Sequence, residues 1–235
     1  MRRICLRIAF LAAILIGSFA LTVFAQEPTV GERVIALKTN LQQSQNALRQ
    51  YEWVETTVVS LKGEEKSRKQ SACFYGADGK VTKVLLTQPA PEAKKRGLRG
   101  KIAEEKKEEL TDYMKEAVNL VHQYVPPDPA RILAAKEAGK VSLQLIEPDR
   151  RARLTFADYL KNGDNLSLDV DPTTNRLLAV NVKSYLDSDK EPVTLAVTFG
   201  ALNDGTTYAS ETVLDAKGKK LQVTIQNSGY RKKGQ

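Results

Sequence analysis

Hydrophobic positions change period several times along this chain, and each change marks a predicted element. Val34, Leu37, Leu41, Leu48 and Tyr51 recur at helical spacing among Gln and Asn. Just before them, Thr29-Val30-Gly31-Glu32 has the spacing of a capping box, in which hydroxyl and carboxylate satisfy backbone N–H groups at a helix start. The spacing predicts a first helix over 30–50. At Trp53 the period drops to two. The stretches WVETTVVSL (53–61) and KSRKQSACFY (66–75) flank Lys62-Gly63-Glu64, and Ala77-Asp78-Gly79-Lys80 turns the chain into VTKVLL (81–86). Three antiparallel strands follow, with one side mostly polar and wet.

Residues 88–101 (QPAPEAKKRGLRGK) break the pattern, and their Pro, Gly and basic content predicts a loop. A helical period returns over 102–124, where Leu110, Met114, Val118, Val121 and Val125 share one face. Glu104, Glu105, Glu108 and Glu109 sit near its start, where the helix dipole favours acids, and Pro126-Pro127 ends it. Asp128-Pro129 supplies an N-cap and a first-turn proline for a short third helix over 129–138, stopped by Gly139.

Every later segment alternates: VSLQLIE, RARLTF, NLSLDV, RLLAVNVKSYL, PVTLAVTFGAL, TTYASETVL and LQVTIQNSGY, with turn residues between them. Their dry positions include Leu166, Leu168 and Val170; Leu178, Val180 and Val182; Val193, Leu195, Val197 and Phe199; and Leu221, Val223 and Ile225. The order is helix, three strands, two helices, seven strands. This is an α+β chain with one large antiparallel sheet of about ten strands, which must twist and curl, and three helices to cover its dry face.

The N-terminus changes where this domain is expected to work. Arg2, Arg3 and Arg7 precede an apolar stretch over 8–24, and Val23-Phe24-Ala25 offers a cut site. That pattern predicts a signal peptide over 1–25, cleaved after Ala25, and a single domain over 26–235 that is periplasmic or secreted. A retained N-terminal membrane anchor is the rival reading. The net charge of +8 includes those three arginines, so the domain's own excess is mild and does not indicate nucleic acid. Cys5 leaves with the signal. Cys73 then has no intrachain partner, and is expected inside a strand or, alternatively, as an exposed thiol that forms a dimer.

Candidate chemistry is sparse. His122 is the single imidazole, and no His, Cys or carboxylate cluster has metal-ligand spacing. DVDPTTN (169–175) lacks the glycine and distal Glu of a calcium loop. There is no G-x-S-x-G and no glycine-rich phosphate cradle. The expectation is a non-enzymatic protein without cofactor or metal. Lys94, Lys95, Arg96, Arg99 and Lys101 make a basic cluster, read either as a solvated loop or as a contact for an acidic membrane surface or envelope protein. The lack of aromatics around it disfavours nucleic acid.

Read in order over residues 29–228, this chain resembles the periplasmic lipoprotein-carrier superfamily, which includes the outer-membrane lipoprotein carrier, its receptor partner and sigma-factor regulators. ALRQYEWVETTVVSL (47–61) and NRLLAVNVKSYL with PVTLAVTF (175–199) carry the resemblance. It implies an unclosed β-barrel with helices plugging the open side, and an apolar cavity that takes an acyl chain, lipid or lipoprotein. The family's cavity arginine is not fixed here, since Arg68, Arg151 and Arg153 all lie in predicted strands without a motif to select one. The basic loop and the charged second helix depart from the carrier pattern.

On this reading the helices would line the cavity with Leu110, Met114, Val118 and Val121. The sheet would line it with Trp53, Phe156, Val180, Leu195, Val197 and Phe199. The alternative is an interaction or scaffold domain whose core is fully packed. The two differ in a volume: either the helices fill the curve of the sheet or they leave room.

Overall fold

The computed structural model describes residues 30–87 and 98–234. The expected signal peptide over 1–25 and the basic residues Lys94, Lys95 and Arg96 lie outside them. Helix α1 (Val30–Leu48) leads into β1 (Tyr51–Leu61), β2 (Glu64–Tyr75) and β3 (Val81–Leu85). Helices α2 (Leu98–Val121) and α3 (Pro129–Glu137) follow. The remaining strands are β4 (Val141–Glu147), β5 (Arg151–Ala157), β6 (Asn165–Asp171), β7 (Arg176–Tyr185), β8 (Pro192–Ala201), β9 (Thr207–Ala216) and β10 (Leu221–Lys232), with a 3₁₀ turn at Lys217–Lys219.

All ten strands form one antiparallel sheet in the order β3-β2-β1-β10-β9-β8-β7-β6-β5-β4. Short turns make every neighbour except one. The exception is β1 with β10, which runs from Tyr51 opposite Lys232 to Leu61 opposite Leu221 and joins the two ends of the chain. Among the described residues β3 and β4 are the two edges and do not pair with each other, so the sheet is an unclosed barrel covered by helices. At the β4 edge Leu143 and Leu145 stand exposed, beyond the reach of the helices.

Three local details differ from the expectation. Helix α2 begins at Leu98, so Arg99 and Lys101 stand in a helix rather than a loop. Gly100 near a helix start costs only about 1 kcal/mol, and a helix that docks on a core offsets this. The helix ends at Val121 rather than at 124. Gln123 and Tyr124 donate to the carbonyls of Leu120 and Val121, and this tighter turn sends the Tyr124 ring inward. In β7, a shift of register between Asp169 and Val170 turns Leu177 into the core in place of Leu178. The third helix is as predicted at its start: the Asp128 side chain accepts from the Ala130 N–H at 2.9 Å, with Pro129 in the first turn.

The outer face of the sheet carries a buried ion cluster. Asp169, fully buried, accepts from Arg151 Nε at 2.9 Å and from Arg153 Nε at 2.6 Å across the β5–β6 pair. Burial alone would raise the Asp169 carboxyl, but hydrogen bonds from Arg153 and Arg151 outweigh it and hold the group below the usual carboxylate range. A lowered folded pKa stabilises the protein above the unfolded value, about 4, and that stability is lost as pH falls through the folded value. Asp169→Asn is therefore expected to cost about 1–3 kcal/mol at pH 7. The gap in melting temperature between variant and wild type should narrow as the pH is taken from 5 towards 2. A gap that is constant with pH would show that the charge contributes nothing.

Candidate functional site

The dry face of the sheet divides into a filled part and an open part. Over β5 to β9 it is filled. Leu154, Phe156, Leu166, Val180, Val182 and Val193 are each 2% exposed or less. They pack with Tyr113, Ala117, Val121 and Tyr124 from α2 and its last turn, and with Ile132 and Ala135 from α3. Five residues expected to line a cavity lie in this closed core: Val121, Phe156, Val180, Leu195 and Val197. Phe199 packs half-buried against its margin. Trp53 is buried in a separate aromatic cluster. It stacks on Tyr230 at 5.4 Å, leans on Tyr75, and donates from Nε1 to Asn227 at 3.1 Å.

Over β10, β1 and β2 the helix stands off the sheet and leaves a groove of about 600 Å³. Its floor is Val59 and Leu61 of β1 with Val223 and Leu221 of β10, which are direct cross-strand pairs and so form one patch. Its roof is Leu110, Met114 and Val118 of α2. Helix α2 thus has two apolar stripes. Tyr113, Ala117, Leu120, Val121 and Tyr124 enter the core, while Leu110, Met114 and Val118 lie about 60° round the helix and are half-buried. Of the ten residues proposed from sequence as apolar lining, the structure brings these three together at the groove.

The floor was only partly visible in the sequence. Leu221 and Val223 are on the dry face read from alternation. Val59 and Leu61 share a face with Tyr51 and Trp53, but Glu55 and Thr57 lie between the two pairs on that face and break the apolar run before it reaches the groove. Lys66 is hidden for another reason. Val59 pairs with Ser67 and Ser60 with Glu65, so Lys66 is the extra residue of a β-bulge, and it lines the groove beside Ser67.

Three contacts fix the roof. Beyond the end of α2, the Tyr124 hydroxyl donates to buried Asp164 and lies 2.8 Å from Ser184 Oγ. Burial first, then Asp164, pushes the Tyr124 hydroxyl well above its usual pKa, so it stays a donor. Further along, the Tyr113 hydroxyl meets the 3₁₀ turn so closely that a Cβ on Gly218 would sit 2.5 Å from it. Lys219 of the same turn pairs with Glu109 at 2.5 Å and lowers the Glu109 carboxyl through that hydrogen bond.

A second cavity, of about 490 Å³, lies between α1 and the β6–β7 and β8–β9 turns. Its walls are mixed, with the polar side chains of Asn40, Gln43, Ser44, Arg176 and Asp204 among them. Asp204 is held down to about 2 by the hydrogen bond from Tyr51 and by Thr206. His122 is exposed in the turn after α2, and Cys73 is buried inside β2 with its thiol raised by burial. Among the described residues no three His, Cys, Asp or Glu side chains group as metal ligands, and no helix is long and apolar enough to cross a membrane.

No family model matches this chain, and no curated protein matches it. Among solved structures it is similar to a LolA superfamily protein from Nitrosomonas europaea, at 10% identity and TM-score 0.37 over 85% of this chain and 94% of that one. It is similar to a DUF1329 family protein from Desulfovibrio piger, at 8% identity and TM-score 0.35 over 85% and 94%. A domain named for outer-membrane lipoprotein sorting, from Vibrio parahaemolyticus, aligns at 10% identity and TM-score 0.36 over 86% and 94%.

Proposed function

We propose that this is an exported, non-enzymatic protein that binds the apolar chain of a lipid or lipidated partner in the groove between α2 and strands β1, β2 and β10. The observation that supports this reading is the groove itself: apolar floor, apolar roof and about 600 Å³ between them, beside the buried cluster of β5 to β9. Its size lies within the range of ligand sites, and its walls are mostly apolar, as such sites require. Each methylene moved from water contributes about 0.8 kcal/mol, so roughly ten supply about 8 kcal/mol, a micromolar Kd before ordering costs. Lys94, Lys95 and Arg96, with Arg99 and Lys101 at the start of α2, would face an acidic membrane surface or envelope partner during loading or release.

Met114→Trp tests the site. Met114 is half-buried in the roof and meets the core only at its margin, so a larger ring there fills the groove. Expected is at least a tenfold loss of affinity for a fluorescent fatty acid, with an unchanged melting temperature. Wild-type affinity in the variant, or no uptake by the wild type, would favour a scaffold domain without a ligand.

A further inference from the structure

We infer that the ligand of this groove carries a phosphate head group; the inference rests on the groove reading above. Four of the side chains lining it are lysines, Lys66, Lys106, Lys107 and Lys115, and no carboxylate lines it among the described residues. They frame the apolar patch from both sides. Lys106, Lys107 and Lys115 come from the α2 wall, and the β-bulge places Lys66 on the opposite wall. A bulge interrupts sheet pairing, yet here the extra residue is the cation that lines the groove.

Two of the lysines have exchangeable partners. Lys66 pairs with Glu64 and Lys115 with Asp112, and both acids are more than half exposed. Exposed pairs of this kind are worth little, so an anion held between the walls can displace them. Ammonium groups without an arginine fork suit a tetrahedral phosphate, which several point charges approach from different directions. A planar carboxylate is matched better by the paired N–H groups of arginine, and among the described residues no arginine lines the groove.

The test compares three ligands with the same oleoyl chain: monooleoylglycerol, oleate and lysophosphatidylglycerol, each titrated below its micellar concentration against displacement of a bound dye. Lysophosphatidylglycerol is expected to bind about tenfold or more tightly than monooleoylglycerol, at roughly 1 kcal/mol per lysine engaged. The preference should shrink at 0.5 M salt and in a Lys66→Ala, Lys106→Ala, Lys115→Ala variant, whose melting temperature controls for folding. Equal affinity for all three ligands overturns the phosphate inference and leaves the groove reading standing. Oleate as tight as lysophosphatidylglycerol also overturns it. Binding of none of them overturns the groove reading itself.

Discussion

Phe156→Ala is expected to destabilise this protein by about 3–5 kcal/mol, the cost of losing a fully buried aromatic ring and leaving a hole. Phe156 is 0% exposed, pairs across the sheet with Leu166 and Val141, and packs edge-on against Tyr159. For a domain of this size the melting temperature should fall by about 10 °C. The magnitude is diagnostic. A Phe156 that lined an empty cavity would already lack partners on one side, and its truncation would cost little. The matched control is Met114→Ala, where a half-buried roof side chain is removed and a loss below about 1 kcal/mol is expected. Equal losses for the two variants would erase the distinction between filled core and open groove.

Asp164→Ala is expected to cost about 3 kcal/mol or more and to loosen α2. The Asp164 carboxylate is 2% exposed and gathers three donors: the Tyr124 hydroxyl, Leu160 N–H at 3.1 Å and Lys161 N–H at 2.8 Å. Its removal takes the acceptor from both part-buried N–H groups and leaves the buried Tyr124 hydroxyl with Ser184 Oγ alone. Because Tyr124 is the anchor beyond the C-terminal end of α2, amide hydrogen exchange should rise over 113–124 as well as in the β5–β6 loop. A variant that melts lower but leaves exchange in α2 unchanged would show that the network holds only the loop. Ligand affinity is expected to fall with it, since the roof would no longer be held over Leu221 and Val223.

Most of the frame was legible because it depends on local rules. The Asp128-Pro129 start, the turn at Lys62-Gly63 and the alternation of Val193, Leu195 and Val197 each follow from near neighbours in sequence, and each is found in the structure. The misreadings arise where a tertiary contact decides. The face chosen for α2 left out Tyr113 and Ala117, because five aliphatic positions made a cleaner period than a tyrosine and an alanine did. In the structure the tyrosine and alanine go to the core, and three of the aliphatics go to the groove. The bulges that turn in Leu177 and position Lys66 have no local signature, because each is set by pairing with another strand. The site itself was harder still. Val223 and Val193 look alike along their strands, and only the path of α2 across the sheet leaves one beside a groove and seals the other.

The central claim is that an acyl chain occupies the space under α2 and nowhere else on the dry face. Photo-crosslinking with a diazirine-bearing oleoyl lysophosphatidylglycerol, followed by peptide mapping, tests it directly. Label is predicted within 106–119 and 221–223, saturable and competed by the unmodified lipid. Label spread along exposed surface, concentrated around Asn40 and Arg176, or absent from α2 would contradict it.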